Sequence, residues 1–177
     1  MVSFDAPADI VARELLGKIL VRVHEGKQLH AKIVETEAYF DEKDPASRAC
    51  QGGDLRKTML MEPGVILVYG VHNNWLLNFV VDKSGIAGAV LIRAVEPLNF
   101  FGNGKGPGLV CRCLAIDKKL HQKKVGEQLF VTVNTQRSEP FIVERSARIG
   151  VRTDLLTPMR FYIKGNKWVS KTKVVKS

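Results

Sequence analysis

Apolar residues recur at every second position in block after block of the chain, and most of the elements follow from that. KILVRVH (18–24) and QLHAKIVETEAYF (28–40) alternate as strands with one buried face do. Glu25-Gly26-Lys27 between them supplies a turn, so the two form a hairpin. Ahead of them, Asp9 is placed to cap a short helix over Ile10–Leu16, with Gly17 as its stop. From Asp41 to Thr58 the apolar period lapses. Within that stretch Asp44-Pro45 reads as the cap and first residue of a brief helical turn carrying Ala46 to Ala49. After a turn at Pro63-Gly64, strands are predicted over VILVY (65–69), WLLNFVVD (75–82) and AVLIRAVE (89–96), separated by GVHNN and KSGIAG. Glycine-rich GNGKGPG (102–108) precedes LVCRCLAI (109–116), read as a helix, and EQLFVTVN (127–134), FIVERSARI (141–149) and MRFYIKG (159–165) are late strands.

Strands outnumber helices, and their connections are mostly too short for parallel crossovers. The expected class is α+β: a single domain over 1–177 with a curved, mostly antiparallel sheet, a protruding β-hairpin and a few packed helices.

Charge adds a partner. Lys+Arg number 27 against 18 Asp+Glu, a net +9, and the basic residues also gather in a tail from Lys164 to Lys176, which favours a polyanion. No apolar run approaches the roughly 20 residues of a membrane span. The opening MVSFDAPAD lacks the basic n-region and apolar core of a secretory signal, so an intracellular protein is expected, with no membrane partner. Three cysteines, Cys50, Cys111 and Cys113, form no CxxC pair and no zinc-like spacing. They read as free thiols acting as small buried hydrophobes.

Candidate chemistry starts at IVETEAY, where Glu35, Glu37 and Tyr39 share one strand face. Such a row can simply face water. It can hold a metal, with Asp41, Glu42 and Asp44 as further acids, in a metal-dependent nuclease. Or a single carboxylate can act as general base beside an aromatic platform. VYGVHNNWLLN sets Tyr69, His72, Asn73, Asn74, Trp75 and Asn78 around a hairpin. This is either a plain Asn-Asn turn with Trp75 in the core, or a polar tip for a nucleic-acid groove. GNGKGPG lacks the Walker spacing. Arg93, in an apolar strand, needs an anionic partner, for which Glu96 is a structural candidate. A non-catalytic nucleic-acid-binding module remains a further reading.

LLGKILVR, IVETEAY, DPAS, PGVILVY, LIRAVEP, LAIDK, ARIGV and RFYIKGNKWVS occur in an order that resembles the 3-methyladenine (alkyladenine) DNA glycosylases, from about Leu15 to Ser170. The resemblance implies a fold like the formyltransferase C-terminal domain. It implies a monofunctional DNA-repair hydrolase acting as a monomer on double-stranded DNA, in the cytoplasm, nucleoid or nucleus. Damaged purines such as 3-methyladenine and hypoxanthine would be flipped out and cut at the N-glycosidic bond, with 7-methylguanine and ethenoadenine as further candidates, without metal or organic cofactor. Glu37 matches the general base that activates water at C1′, and Arg93 an arginine near that water and the nucleotide's phosphate. Tyr39 and Tyr69 match the aromatics on the two sides of the base. Asn78 matches an asparagine that rejects the guanine amino group, and Val151 a residue close to the water.

The chain departs from the family in four places. Arg48 stands where a histidine usually follows DPAS. The hairpin is one residue short before Asn78, which leaves His72, then Asn73, as the DNA wedge. Leu109 replaces a basic residue, so Lys105 or Arg112 is left to make the phosphate contact. The segment from Pro97 to Gly106 is short. The whole reading requires Glu37 to border a space wide enough for a purine.

Overall fold

The computed structural model describes residues 2–134 and 140–171, so the distal part of the basic tail, 172–177, lies outside the described residues. Its elements are α1 (Ala8–Glu14), β1 (Ile19–His24), β2 (Lys27–Tyr39), α2 (Gly53–Met59), β3 (Ile66–Val71), β4 (Asn74–Val80), β5 (Ala89–Pro97), α3 (Pro107–Cys113), β6 (Leu129–Thr132), β7 (Val143–Ser146) and β8 (Arg160–Ile163). All strand pairings are antiparallel, in the order β3-β4-β5-β2-β1-β6, and β8 joins β2 to β7. This is the α+β class expected from the pattern.

β2 organises the sheet. Along one edge its first half pairs with β1, and Glu35–Glu37 then pair with Tyr162–Arg160 of β8. Along the other edge it pairs with β5 from Ala31 to Tyr39, with register shifts at Ile33/Glu35 and Glu35/Thr36. Ile33 opposes Val95 and Thr36 opposes Ile92, but Glu35 opposes Ala94. Val34 and Arg93 are therefore surplus residues, one on each strand, and the two bulges cancel. Bulges re-aim side chains. Here they set Arg93 between the levels of Glu35 and Glu37.

The opposite face of β2 meets α1. Thr36 Oγ1 donates to the Ala12 carbonyl at 2.8 Å, and Val11, Ala12, Leu15, Ile33, Phe79, Ile92 and Phe161 form the main core with α3. Each large side chain buried there contributes about 1.5–3 kcal/mol. A smaller core of Ala49, Met59, Leu67, Val80 and Ala89 lies under α2, with Tyr69 packed at its edge.

Several local expectations shift. α1 begins at Ala8 behind Pro7. Asp9 falls inside the first turn and pairs with Arg13 at 3.1 Å instead of capping, because proline at the boundary already fixes the entry. The helical turn after Asp44-Pro45 starts later, as a 3₁₀ turn over Arg48–Gln51 capped by Ser47. α2 has no counterpart in the apolar pattern, since only Thr58 and Met59 of its residues are buried. α3 starts two residues earlier than predicted, at Pro107. Cys111 is buried but Cys50 is exposed, and Trp75 is 38% exposed on the hairpin, outside the core. Among the described residues no helix is long and apolar enough to cross a membrane.

Candidate active site

The row of Glu35, Glu37 and Tyr39 survives folding, but it faces inward. Both glutamates have no solvent exposure. Glu35 Oε1 accepts from Arg93 Nε at 3.1 Å, Arg160 Nε at 2.6 Å and Ser170 Oγ at 2.8 Å. Its Oε2 accepts from the Ser170 backbone N–H at 2.7 Å. Such saturation makes Glu35 a brace joining β2, β5, β8 and the chain after β8. Arg93 is thus not the partner of Glu96, which pairs with Lys32 at 2.7 Å instead.

Glu37 has fewer partners and a different character. Oε1 accepts from the Ile149 backbone N–H at 2.8 Å; Oε2 accepts from the Tyr39 hydroxyl at 2.8 Å and from an Arg93 Nη at 3.3 Å. Burial raises the Glu37 carboxyl above its usual range and outweighs Arg93, the Ile149 amide and Tyr39, which all pull it down. A carboxylate raised in this way is a stronger proton acceptor than an ordinary glutamate. The expectation that Glu37 borders open space is not met in this arrangement: the side chain is sealed, and the Tyr39 hydroxyl covers Oε2.

Tyr39 and Tyr69 are both half-buried. Burial, then the Glu37 charge, holds the Tyr39 phenol well above its usual range, so it is a donor at neutral pH. The Arg148 guanidinium carbon lies 4.6 Å from the Tyr39 ring centre. Arg148 is fixed there by Asp44, with both contacts at 2.7 Å, by Asp154 at 2.8 Å and by the Ala38 carbonyl at 2.9 Å. Burial alone would raise Asp44, but Arg148 and the Phe40 and Ala46 amides outweigh it and hold Asp44 below its usual range. Asp44 caps its turn as the sequence suggested, Oδ1 accepting from the Ala46 N–H at 3.1 Å, and it also clamps Arg148, a role at odds with that of a metal ligand.

Tyr69, on β3, has the Arg48 guanidinium 5.0 Å from its ring centre; burial raises its phenol above the usual range, against Arg48 and Asn78, which pull it down. Asn78 is buried and donates to the Leu67 carbonyl at 3.2 Å. Glu37, Arg93, Tyr39, Tyr69, Asn78 and Arg48 thus form one cluster where β2, β3, β4 and β5 run side by side. Val151 is half-buried, two residues beyond the Ile149 amide.

The remaining predicted residues lie elsewhere. His72 and Asn73 are the exposed tip of the β3–β4 hairpin, with φ of 45° and 60°, the left-handed pair that a two-residue turn requires. Arg112 donates to Asn74 Oδ1 at 2.8 Å beside that hairpin, and Lys105 sits 5.4 Å from the Trp168 ring centre. Sequence reasoning missed Arg148, Arg160, Ser170 and the Ile149 amide as site residues. All four lie within ARIGV and RFYIKGNKWVS, the motifs quoted for their order but not for these contacts.

A metal site at Glu35 and Glu37 is at odds with this geometry. The Arg93 guanidinium already lies between the two carboxylates, where a divalent cation would have to sit. Asp41 and Glu42 turn to the Lys43 amide and to Arg56, and the described residues hold no cluster of three or more metal-binding side chains.

Comparison with known proteins points the same way. A family model described as methylpurine-DNA glycosylase matches residues 2–167. A protein of Aeropyrum pernix named "Putative 3-methyladenine DNA glycosylase" is 46% identical over 173 residues, covering 94% of this chain and 89% of that one. One of the same name from Legionella pneumophila strain Corby is 37% identical, with 92% of each chain covered. The mouse "DNA-3-methyladenine glycosylase" is 33% identical across 94% of this chain, which spans 59% of the mouse protein.

Proposed function

The chain belongs to the methylpurine-DNA glycosylase family, and from that premise we propose that it releases damaged purines extruded from duplex DNA, using a water deprotonated by Glu37. The observation that carries this reading is a buried carboxylate with a raised pKa, held by Arg93, the Ile149 amide and the Tyr39 hydroxyl. Extrusion costs a few kcal/mol, least for damaged or mispaired bases, and the hairpin tip, His72 then Asn73, fills the gap. Stacking on an aromatic returns about 1–3 kcal/mol per base. Arg148 occupies one face of Tyr39, so the base stacks on the other, towards Tyr69.

Entry of the nucleotide displaces the Tyr39 hydroxyl and frees Glu37 Oε2. The carboxylate then takes the proton of a water attacking C1′ and stabilises the oxocarbenium-like sugar. Arg93 keeps Glu37 ionised and aimed, and it meets the nucleotide's phosphate. Asn78 forms the pocket floor, where a guanine amino group would meet the Asn78 amide, and Val151 packs beside the water. Lys105 and Arg112, both exposed, contact flanking phosphates. Among the described residues no lysine lies in the cluster, so the enzyme acts as a monofunctional monomer without Schiff-base strand cleavage.

The direct test is a panel of duplexes carrying hypoxanthine, 3-methyladenine, 7-methylguanine or ethenoadenine, scored for released base. Free base should appear with the strand intact until hot alkali. Strand breaks abolished by EDTA would overturn the reading in favour of a nuclease, and absence of any release would leave only a binding module.

The raised Glu37 carboxyl sets the acid limb. A cationic lesion such as 3-methyladenine needs no proton from the enzyme, so its release should follow Glu37 ionisation alone. Single-turnover rates should rise with pH and reach half-maximum above the usual glutamate range. A limb at or below the ordinary glutamate value would remove Glu37 from the rate-determining ionisation.

A further inference from the structure

Four arginines surround the two glutamates and two tyrosines, and three have carboxylate partners. Arg93 pairs with Glu35 and Glu37, Arg148 with Asp44 and Asp154, and Arg160 with Glu35. Arg48 differs. Among the described residues it has no carboxylate partner: one Nη donates to the neutral Gln51 Oε1 at 2.8 Å, and the guanidinium lies over Tyr69. A half-buried cation left uncompensated is costly unless something else supplies the acceptors. Most of its five N–H donors remain available, in a rigid planar fork.

We propose that Arg48 determines lesion specificity: its free N–H fork reads the O6/N7 edge of a neutral 6-oxopurine, hypoxanthine, held against Tyr69, and its charge disfavours cationic N-methylated purines. This rests on the base-releasing function proposed above. An arginine fork on the O6/N7 edge is the commonest specific base contact in DNA recognition, and hypoxanthine carries the guanine edge without the 2-amino group. The contact also serves the chemistry. As the N9–C1′ bond breaks, its electron pair stays with the base and a neutral oxopurine leaves as an anion. The water oxygen bonds to C1′, the water's proton passes to Glu37, and solvent protonates the released base. Donors at N7 and O6 stabilise that developing charge. A cationic lesion departs neutral and gains nothing from them, while Arg48 repels it in the ground state. Like charges about 6 Å apart at an effective dielectric of about 20 discriminate by more than tenfold.

The test compares single-turnover release of hypoxanthine from a deoxyinosine duplex with release of 3-methyladenine from a methylated duplex, for wild type, Arg48→Gln and Arg48→Lys, with thermal melts as the folding control. Arg48→Gln should lower the hypoxanthine-to-3-methyladenine rate ratio at least about tenfold, equivalent to about 1.4 kcal/mol. Arg48→Lys keeps the charge but loses the fork, so hypoxanthine release should fall without a gain for 3-methyladenine. Should Arg48→Gln fail to fold, the lysine variant decides. An unchanged ratio in the folded variants overturns the role of Arg48. Wild-type protein that releases neither base overturns the glycosylase reading beneath it instead.

Discussion

Glu37→Gln should leave duplex binding intact and slow base release by about 10²- to 10⁴-fold, the usual contribution of a positioned general base. Glutamine has the same length, and its amide oxygen can still accept from the Ile149 N–H that now bonds Oε1. What it lacks is a charge to receive the water's proton and to face the cationic sugar. The substitution sets an amide against Arg93, where Oε2 now accepts at 3.3 Å. It also removes a buried negative charge whose ionised form burial opposes, so these effects run in opposite directions and the fold should hold. Single-turnover release of hypoxanthine and 3-methyladenine, measured beside duplex affinity and a thermal melt, separates the cases. Wild-type rates in the variant would end the case for Glu37. Loss of affinity together with rate would mean that the pocket, not the base, had failed.

The pattern of the chain made the alternating strands readable because each has one face in the core and one outside. It could not show α2, whose residues are mostly exposed or partly so, and it placed Asp9 as a cap because Pro7 at the preceding boundary leaves no apolar trace. The site was legible in its residue types but not in its pairings. Alternation put Glu35, Glu37 and Tyr39 on one face. Only the two cancelling bulges decide that Arg93, rather than an exposed acid-lined groove, lies between the glutamates. Besides Arg93, the partners of Glu35 come from β8 and Ser170, more than a hundred residues away, a distance that no local period encodes. The roles of Glu35 and Glu37, two positions apart, differ because of what arrives from elsewhere in the chain.

That difference predicts the second large effect. Glu35→Ala should destabilise the protein by about 3–5 kcal/mol, the range for removing one partner of a buried ion pair. Four donors lose their acceptor at once: Arg93 Nε, Arg160 Nε, Ser170 Oγ and the Ser170 backbone N–H. Among the described residues Arg160 keeps Ser146 Oγ and the Ser170 carbonyl as acceptors, and Arg93 keeps Glu37. For a chain of this size each kcal/mol lowers the melting temperature by about 2–4 °C, so a drop of roughly 6–20 °C is expected. Glu35→Gln, which retains an acceptor oxygen, should cost less. Base release by Glu35→Ala should fall as well, because Arg93 loses the contact that aims it at Glu37, and the deficit should shrink at temperatures where the variant is fully folded. A glutamate whose work was to hold a catalytic metal would behave in the opposite way, with activity lost and the melting temperature unmoved. A melt that does not shift in Glu35→Ala would therefore undo the bracing role and reopen the nuclease reading.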